Sequence, residues 1–95
     1  MTSEEELVRA GQAREILEHH LFREAVKDIE TALLAGIHRS AFSDEKLREK
    51  LAQRYALLQD LLGQFRTHME TGKLAEETIR RKTMAERIKA AVVNF

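Results

Sequence analysis

Apolar residues recur in steps of three and four along nearly the whole chain, the spacing that lines one face of an α-helix. In the first stretch they stand at Leu7, Ala10, Ala13, Leu17, Leu21, Ala25, Ile29 and Ala32, and Ile16, Val26, Leu33 and Ile37 widen the stripe. Ser3 offers an N-cap, and Glu6, three residues on, completes a capping box. Glu4, Glu5 and Glu6 also suit the positive end of a helix dipole. Gly36 is the candidate stop, with His38 and Arg39 close by to meet the last carbonyls. The pattern predicts a helix over about residues 3–36. A break at His19–His20 is open, though nothing in the sequence forces one.

The second stretch starts at Ser43, whose acids Asp44 and Glu45 fill a first turn. Leu47, Leu51, Tyr55, Leu58, Leu62, Phe65 and Met69 follow. From Leu51 onward their steps alternate as in an a/d heptad, the seam of helix-on-helix packing. Leu51, Tyr55, Leu58, Leu62, Phe65 and Met69 form the expected seam, and Leu17, Leu21, Ile29 and Leu33 are expected to face it. Gly72 reads as a C-cap or hinge that ends this helix at about residue 71. A shorter helix over about 73–93 then carries Leu74, Ala75, Ile79, Ala85, Ile88, Ala91 and Val92, closing on Phe95. Were Gly72 not to break it, the second helix would run on into the third.

These elements make one all-α domain over residues 1–95: a long antiparallel helical hairpin plus a shorter third helix. Leu57, Leu61, Phe22 and Phe42 lie beyond what a single facing helix can cover. A third helix folded back, another chain, or both must cover them, and the expected state is a homo-oligomeric bundle.

Composition narrows the classes. The chain has 95 residues, no Cys, no Pro and only four Gly. That excludes a disulfide framework, a thiolate metal site and loop-rich designs. Sixteen Lys and Arg balance sixteen Asp and Glu, but unevenly. Residues 1–40 carry an excess of acids and residues 73–95 an excess of bases, so the neutral total hides a dipolar chain. The longest uncharged apolar run, Thr31 to Ile37, is far too short to span a bilayer. The opening MTSEEE does not read as a targeting segment, so the expected compartment is the cytoplasm, with no membrane partner.

Little in the chain reads as catalytic chemistry. His19 and His20 are adjacent and point about 100° apart on a helix, so they do not chelate one ion together. Glu15 shares a face with His19, but no second His joins them. Ser3, Ser40 and Ser43 stand where serines cap helices, and Gly11, Gly36, Gly63 and Gly72 are isolated rather than a phosphate loop. The reading is a protein that is not an enzyme, with no cofactor and no metal. Arg80, Arg81, Lys82 and Arg87 are the candidate contacts for phosphate or for an acidic partner. Interleaved Glu76, Glu77 and Glu86, and the lack of an aromatic among the bases, favour a solvated face or an acidic protein over nucleic acid.

Several strings together resemble a known group. They are Leu7-x-x-x-Gly11-x-x-x-Glu15-Ile16-Leu17, Leu21-Phe22-x-x-Ala25, Ser43-Asp44-Glu45-x-x-Arg48-Glu49-Lys50-Leu51, Leu58-x-x-Leu61-x-x-x-Phe65 and Met69-Glu70-Thr71-Gly72-Lys73-Leu74-Ala75. Over about residues 7–76 the chain resembles small helical proteins of tailed bacteriophages, encoded among head and DNA-packaging genes. His38-Arg39 stand where that group often has a Trp, and the basic tail from Arg80 lies outside the match. The resemblance implies a viral, non-enzymatic structural or accessory role and supplies no catalytic residues.

The expected function is therefore protein–protein interaction in virion assembly or DNA packaging, with the chain itself or another phage or host protein as partner. Two alternatives stand beside it. One is a nucleic-acid-associated packaging subunit using the basic third helix. The other is a small inhibitor that occupies a host defence protein.

Overall fold

The computed structural model describes residues 1–40 and 42–93, the side chain of Val93 excepted. The described chain is all-α, with three helices: α1 (Ser3–Glu18), α2 (His20–Arg39) and α3 (Glu45–Val93). α1 and α2 follow one another as a single broken arm. Both pack on α3 and touch each other little. Contacts between Phe22 and Phe65, Glu30 and Gln59, and Ser40 and Arg48 show α3 running back antiparallel along that arm. The result is a rod of 79 × 25 × 19 Å.

The chain divides among the helices differently from the pattern's prediction. The expected helix over 3–36 breaks at His19, which takes an extended conformation with φ −64° and ψ 128°. The break is locally satisfied at both ends. His19 N–H donates to the Ile16 carbonyl, and His19 Nδ1 accepts from Leu21 N–H at 3.2 Å. Gly36 is no stop either. α2 runs on to Arg39, where Ser40 N–H reaches the carbonyls of Gly36 and Ile37, and Ser40 Oγ donates to Ile37 at 2.7 Å.

The largest difference is at Gly72. No described glycine has a positive φ, and α3 passes through Gly72 without interruption. The helices expected over 43–71 and 73–93 are one element of 49 residues. A single helical glycine costs about 1 kcal/mol against alanine, too little to end a helix that has packing on both sides. Gly72 serves close approach instead: a Cβ placed there would overlap Cβ of Ala10. Ala10, Ala13 and Ala75 are buried around this crossing, so α1 lies unusually close to α3.

Two caps shift by one residue. Thr2, not Ser3, caps α1, its Oγ1 accepting from Glu5 N–H at 3.2 Å. Asp44, not Ser43, caps α3, its carboxylate accepting from Leu47 N–H at 3.2 Å. Asp44→Ala is expected to lower stability by about 1 kcal/mol, read as a shifted urea midpoint with unchanged slope. Arg48 closes the turn, donating to the Ser40 hydroxyl and carbonyl while its guanidinium lies 5.0 Å from the exposed Phe42 ring.

Candidate interaction surface

The seam positions on α3 are all turned from solvent. Leu62 is buried at 4% exposure, and Leu51, Tyr55, Leu58, Phe65 and Met69 are half-buried. On the opposing arm Leu17 and Leu33 are half-buried too. Leu21 and Ile29 do not face the seam as expected: they are 67% and 49% exposed. The break at His19 is the cause. One extended residue turns α2 about its axis relative to α1, so the buried stripe advances by one position. Leu17 is followed not by Leu21, Ala25 and Ile29 but by Phe22, Val26, Leu33 and Ile37, all half-buried. Phe22 meets Phe65 edge-on with ring centroids 6.0 Å apart.

The displaced stripe lies on one flank of the rod. On the other flank Gln59 Nε2 donates to Glu30 Oε1 at 2.7 Å. There Phe22, Val26 and Leu62 floor an open groove of about 340 Å³, rimmed by Arg23, Lys27 and Arg66. In an antiparallel pair, the residues preceding the seam on each helix share the opposite flank. On α2 these are Leu21, Ala25, Ile29 and Ala32, and on α3 they are Leu57 and Leu61. All six are exposed, with Leu57 at 69%.

Beyond the start of α1, α3 continues alone. Residues 80–92 are exposed on all sides, an arm of about 20 Å at 1.5 Å per residue. Arg80 pairs with Glu76 and Glu77 at 3.7 Å, and Arg81 with Glu77 at 3.2 Å, all within the helix. These are exposed pairs of small individual worth. Lys82, Arg87 and Lys89 make no ion pair among the described residues. Met84, Ile88 and Val92 form an exposed apolar line along the same arm. Phe95, expected to close that line, lies outside the described residues.

No family model, curated protein or solved structure matches the chain. Its residues must therefore speak for themselves. Among the described residues no three His, Asp or Glu side chains gather as a metal site would need, and no helix is long and apolar enough to cross a membrane. His20 lies by Glu24 at 3.5 Å, both well exposed. His38 is exposed, and the carbonyl near the end of α2 is met by Arg39 instead, whose Nε donates to Ala35. The described surface presents an apolar flank, a charged groove and a basic arm.

The sequence marks Leu57 and Leu61 as apolar positions beyond the cover of a single facing helix, but it does not join them to Leu21 and Ile29. Leu21 continues the three-four steps from Leu17, while Phe22 and Val26 begin a second stripe one position on, so the spacing alone does not say which of the two is buried.

Proposed function

We propose that this protein is a non-enzymatic assembly subunit that acts through protein–protein contacts and works as a homo-oligomer. The observation that carries this reading is its surface. The chain exposes 7919 Å², whereas a compact monomer of its mass exposes about 5,600 Å². The excess, about 2,300 Å², is well above the roughly 800 Å² that one partner buries in a standard protein interface. Its radius of gyration is 21.6 Å against about 12 Å for a compact domain of this length. Among the described residues only Ala10, Ala13, Leu62 and Ala75 are buried hydrophobics. A hairpin with so little interior is marginal by itself and gains stability by mass action when its exposed apolar faces are covered.

The resemblance to tailed-phage proteins gives this reading its setting, virion assembly or DNA packaging. The basic arm favours a second reading, in which residues 80–92, with five bases and one acid, contact nucleic-acid phosphates. One experiment addresses both. Mass in solution is measured by light scattering across protein concentration, at low and high salt, with and without duplex DNA. A multiple of 11.0 kDa that survives high salt and ignores DNA is expected. A single-chain mass at every concentration overturns self-assembly. A DNA complex that dissolves steeply with salt promotes the basic arm to the primary site.

A further inference from the structure

We infer that two copies of this chain pair through the flank formed by Leu21, Ala25, Ile29, Ala32, Leu57 and Leu61, antiparallel about a two-fold axis near Leu57. The inference rests on the self-assembly reading above and adds the face, the partner and its direction.

The register between the helices comes first. Phe22 sits opposite Phe65, Glu30 opposite Gln59, Gly36 against Leu51, and Ser40 opposite Arg48. Ile29 therefore stands level with the stretch from Leu57 to Leu61. The four large side chains of the flank lie toward the middle of the hairpin, with Ala25 and Ala32 as low points between them. A two-fold interface needs a patch complementary to itself. Here an axis through Leu57 lays Leu57 on its own symmetry mate and lets each Ile29 enter the space above Ala32 of the second copy. Large side chains then meet small ones, as packing requires.

Charge selects the direction. Going along the flank, Asp28 and Asp60 lie on one side of the centre. Arg39, Lys50 and Arg54 lie on the other side, toward the turn between α2 and α3. All five are exposed. An antiparallel two-fold brings the acidic half of each copy over the basic half of the other, with Arg54 level with Asp60 of the second copy. The alternative two-fold, with both copies pointing the same way, stacks Asp28 over Asp60 and Arg39 beside Lys50. Like charges placed so are a penalty at an interface.

The chain has no cysteine, so a single introduced thiol reports the contact directly. Leu57→Cys, on the axis, is expected to form a covalent dimer under mild oxidation, because disulfides need Cα atoms within about 7 Å. Lys27→Cys, on the opposite flank, is expected to stay monomeric on a denaturing gel. Ile29→Glu is expected to reduce the native mass to one chain while far-UV circular dichroism stays helical. Arg54→Asp is expected to weaken the dimer about fivefold, and the added change Asp60→Arg to restore it, since the pair occurs twice across the axis. Failure of Leu57→Cys to cross-link while the unmodified chain remains oligomeric overturns this face and leaves self-assembly standing. Recovery by the charge swap is the mark of the antiparallel direction; Arg54→Asp without effect overturns that direction. A single-chain mass for the unmodified protein overturns both readings.

Discussion

Leu62→Asp is expected to abolish cooperative unfolding, while Leu57→Asp, five residues earlier on the same helix, leaves the fold in place. Leu62 is the one large side chain of the seam with under a tenth of its surface exposed. It shares its surroundings with Leu17, Phe22 and Val26. Truncating such a leucine to alanine removes about 2–5 kcal/mol. A carboxylate there adds the cost of an unpaired buried charge, and no base of the rim reaches the seam without giving up its solvation. Small domains have about 5–15 kcal/mol in total, and one that buries so little stands at the low end. Leu57 is mostly solvated, so its substitution changes the isolated hairpin by about 0.5 kcal/mol or less. Its expected effect is on the proposed association, seen as loss of the concentration dependence of the melting temperature. Thermal melts followed by circular dichroism at several protein concentrations separate the two. A Leu62→Asp variant that melts with the unmodified chain places the seam elsewhere.

The contrast between these two residues also marks what the sequence could and could not disclose. The three-four steps from Leu51 to Met69 are legible because nothing interrupts them: one continuous helix translates residue spacing directly into angle. Between Leu17 and Phe22 that translation fails. Residues 7–37 contain two apolar stripes one position apart, and each is a valid helical face. Which one is buried depends on His19, and His19 carries no Pro or Gly signal. Its extended conformation is compensated by a cap from its own imidazole, which a list of favoured N-cap residues does not anticipate. The stripe that loses burial becomes the exposed flank, so the same event that misleads the pattern supplies the candidate surface.

Gly72 was ambiguous for a different reason. Glycine ends helices through left-handed φ and also permits backbones to approach, and sequence alone does not separate these uses. The distinguishing sign was the company it keeps. Ala10, Ala13 and Ala75 are small residues at facing positions, which is how two helices come close. Reading Gly72 as a stop divided α3 in two and left the basic segment as a helix of its own. As one helix, α3 carries those bases on an arm whose tip reaches about 20 Å past the end of the hairpin.

Three of the four glycines, all within helices, turn this into an experiment with opposite signs. Gly11 and Gly63 have nothing within 4 Å of an added Cβ. Gly63→Ala and Gly11→Ala are each expected to stabilise by about 0.5–1 kcal/mol, because alanine loses less backbone freedom on folding. Gly72→Ala gains the same propensity but drives its Cβ into Cβ of Ala10. Neither atom belongs to a flexible side chain, so α1 must move off α3, and overpacking of this kind costs about 1–3 kcal/mol. The net expectation is a loss of about 1–2 kcal/mol, growing with Gly72→Val. Ala10→Gly removes the obstructing atom and leaves the Glu6 carbonyl at 3.6 Å and Cα of Ala10 at 3.7 Å, both ordinary contacts. The pair Ala10→Gly and Gly72→Ala is therefore expected to be more stable than the sum of the two single changes by about 1 kcal/mol or more, a coupling that urea melts of the four proteins measure. If Gly72→Ala stabilises as Gly63→Ala does, α1 does not cross α3 at this glycine. Additive effects of the two substitutions would place Ala10 against some other part of the chain.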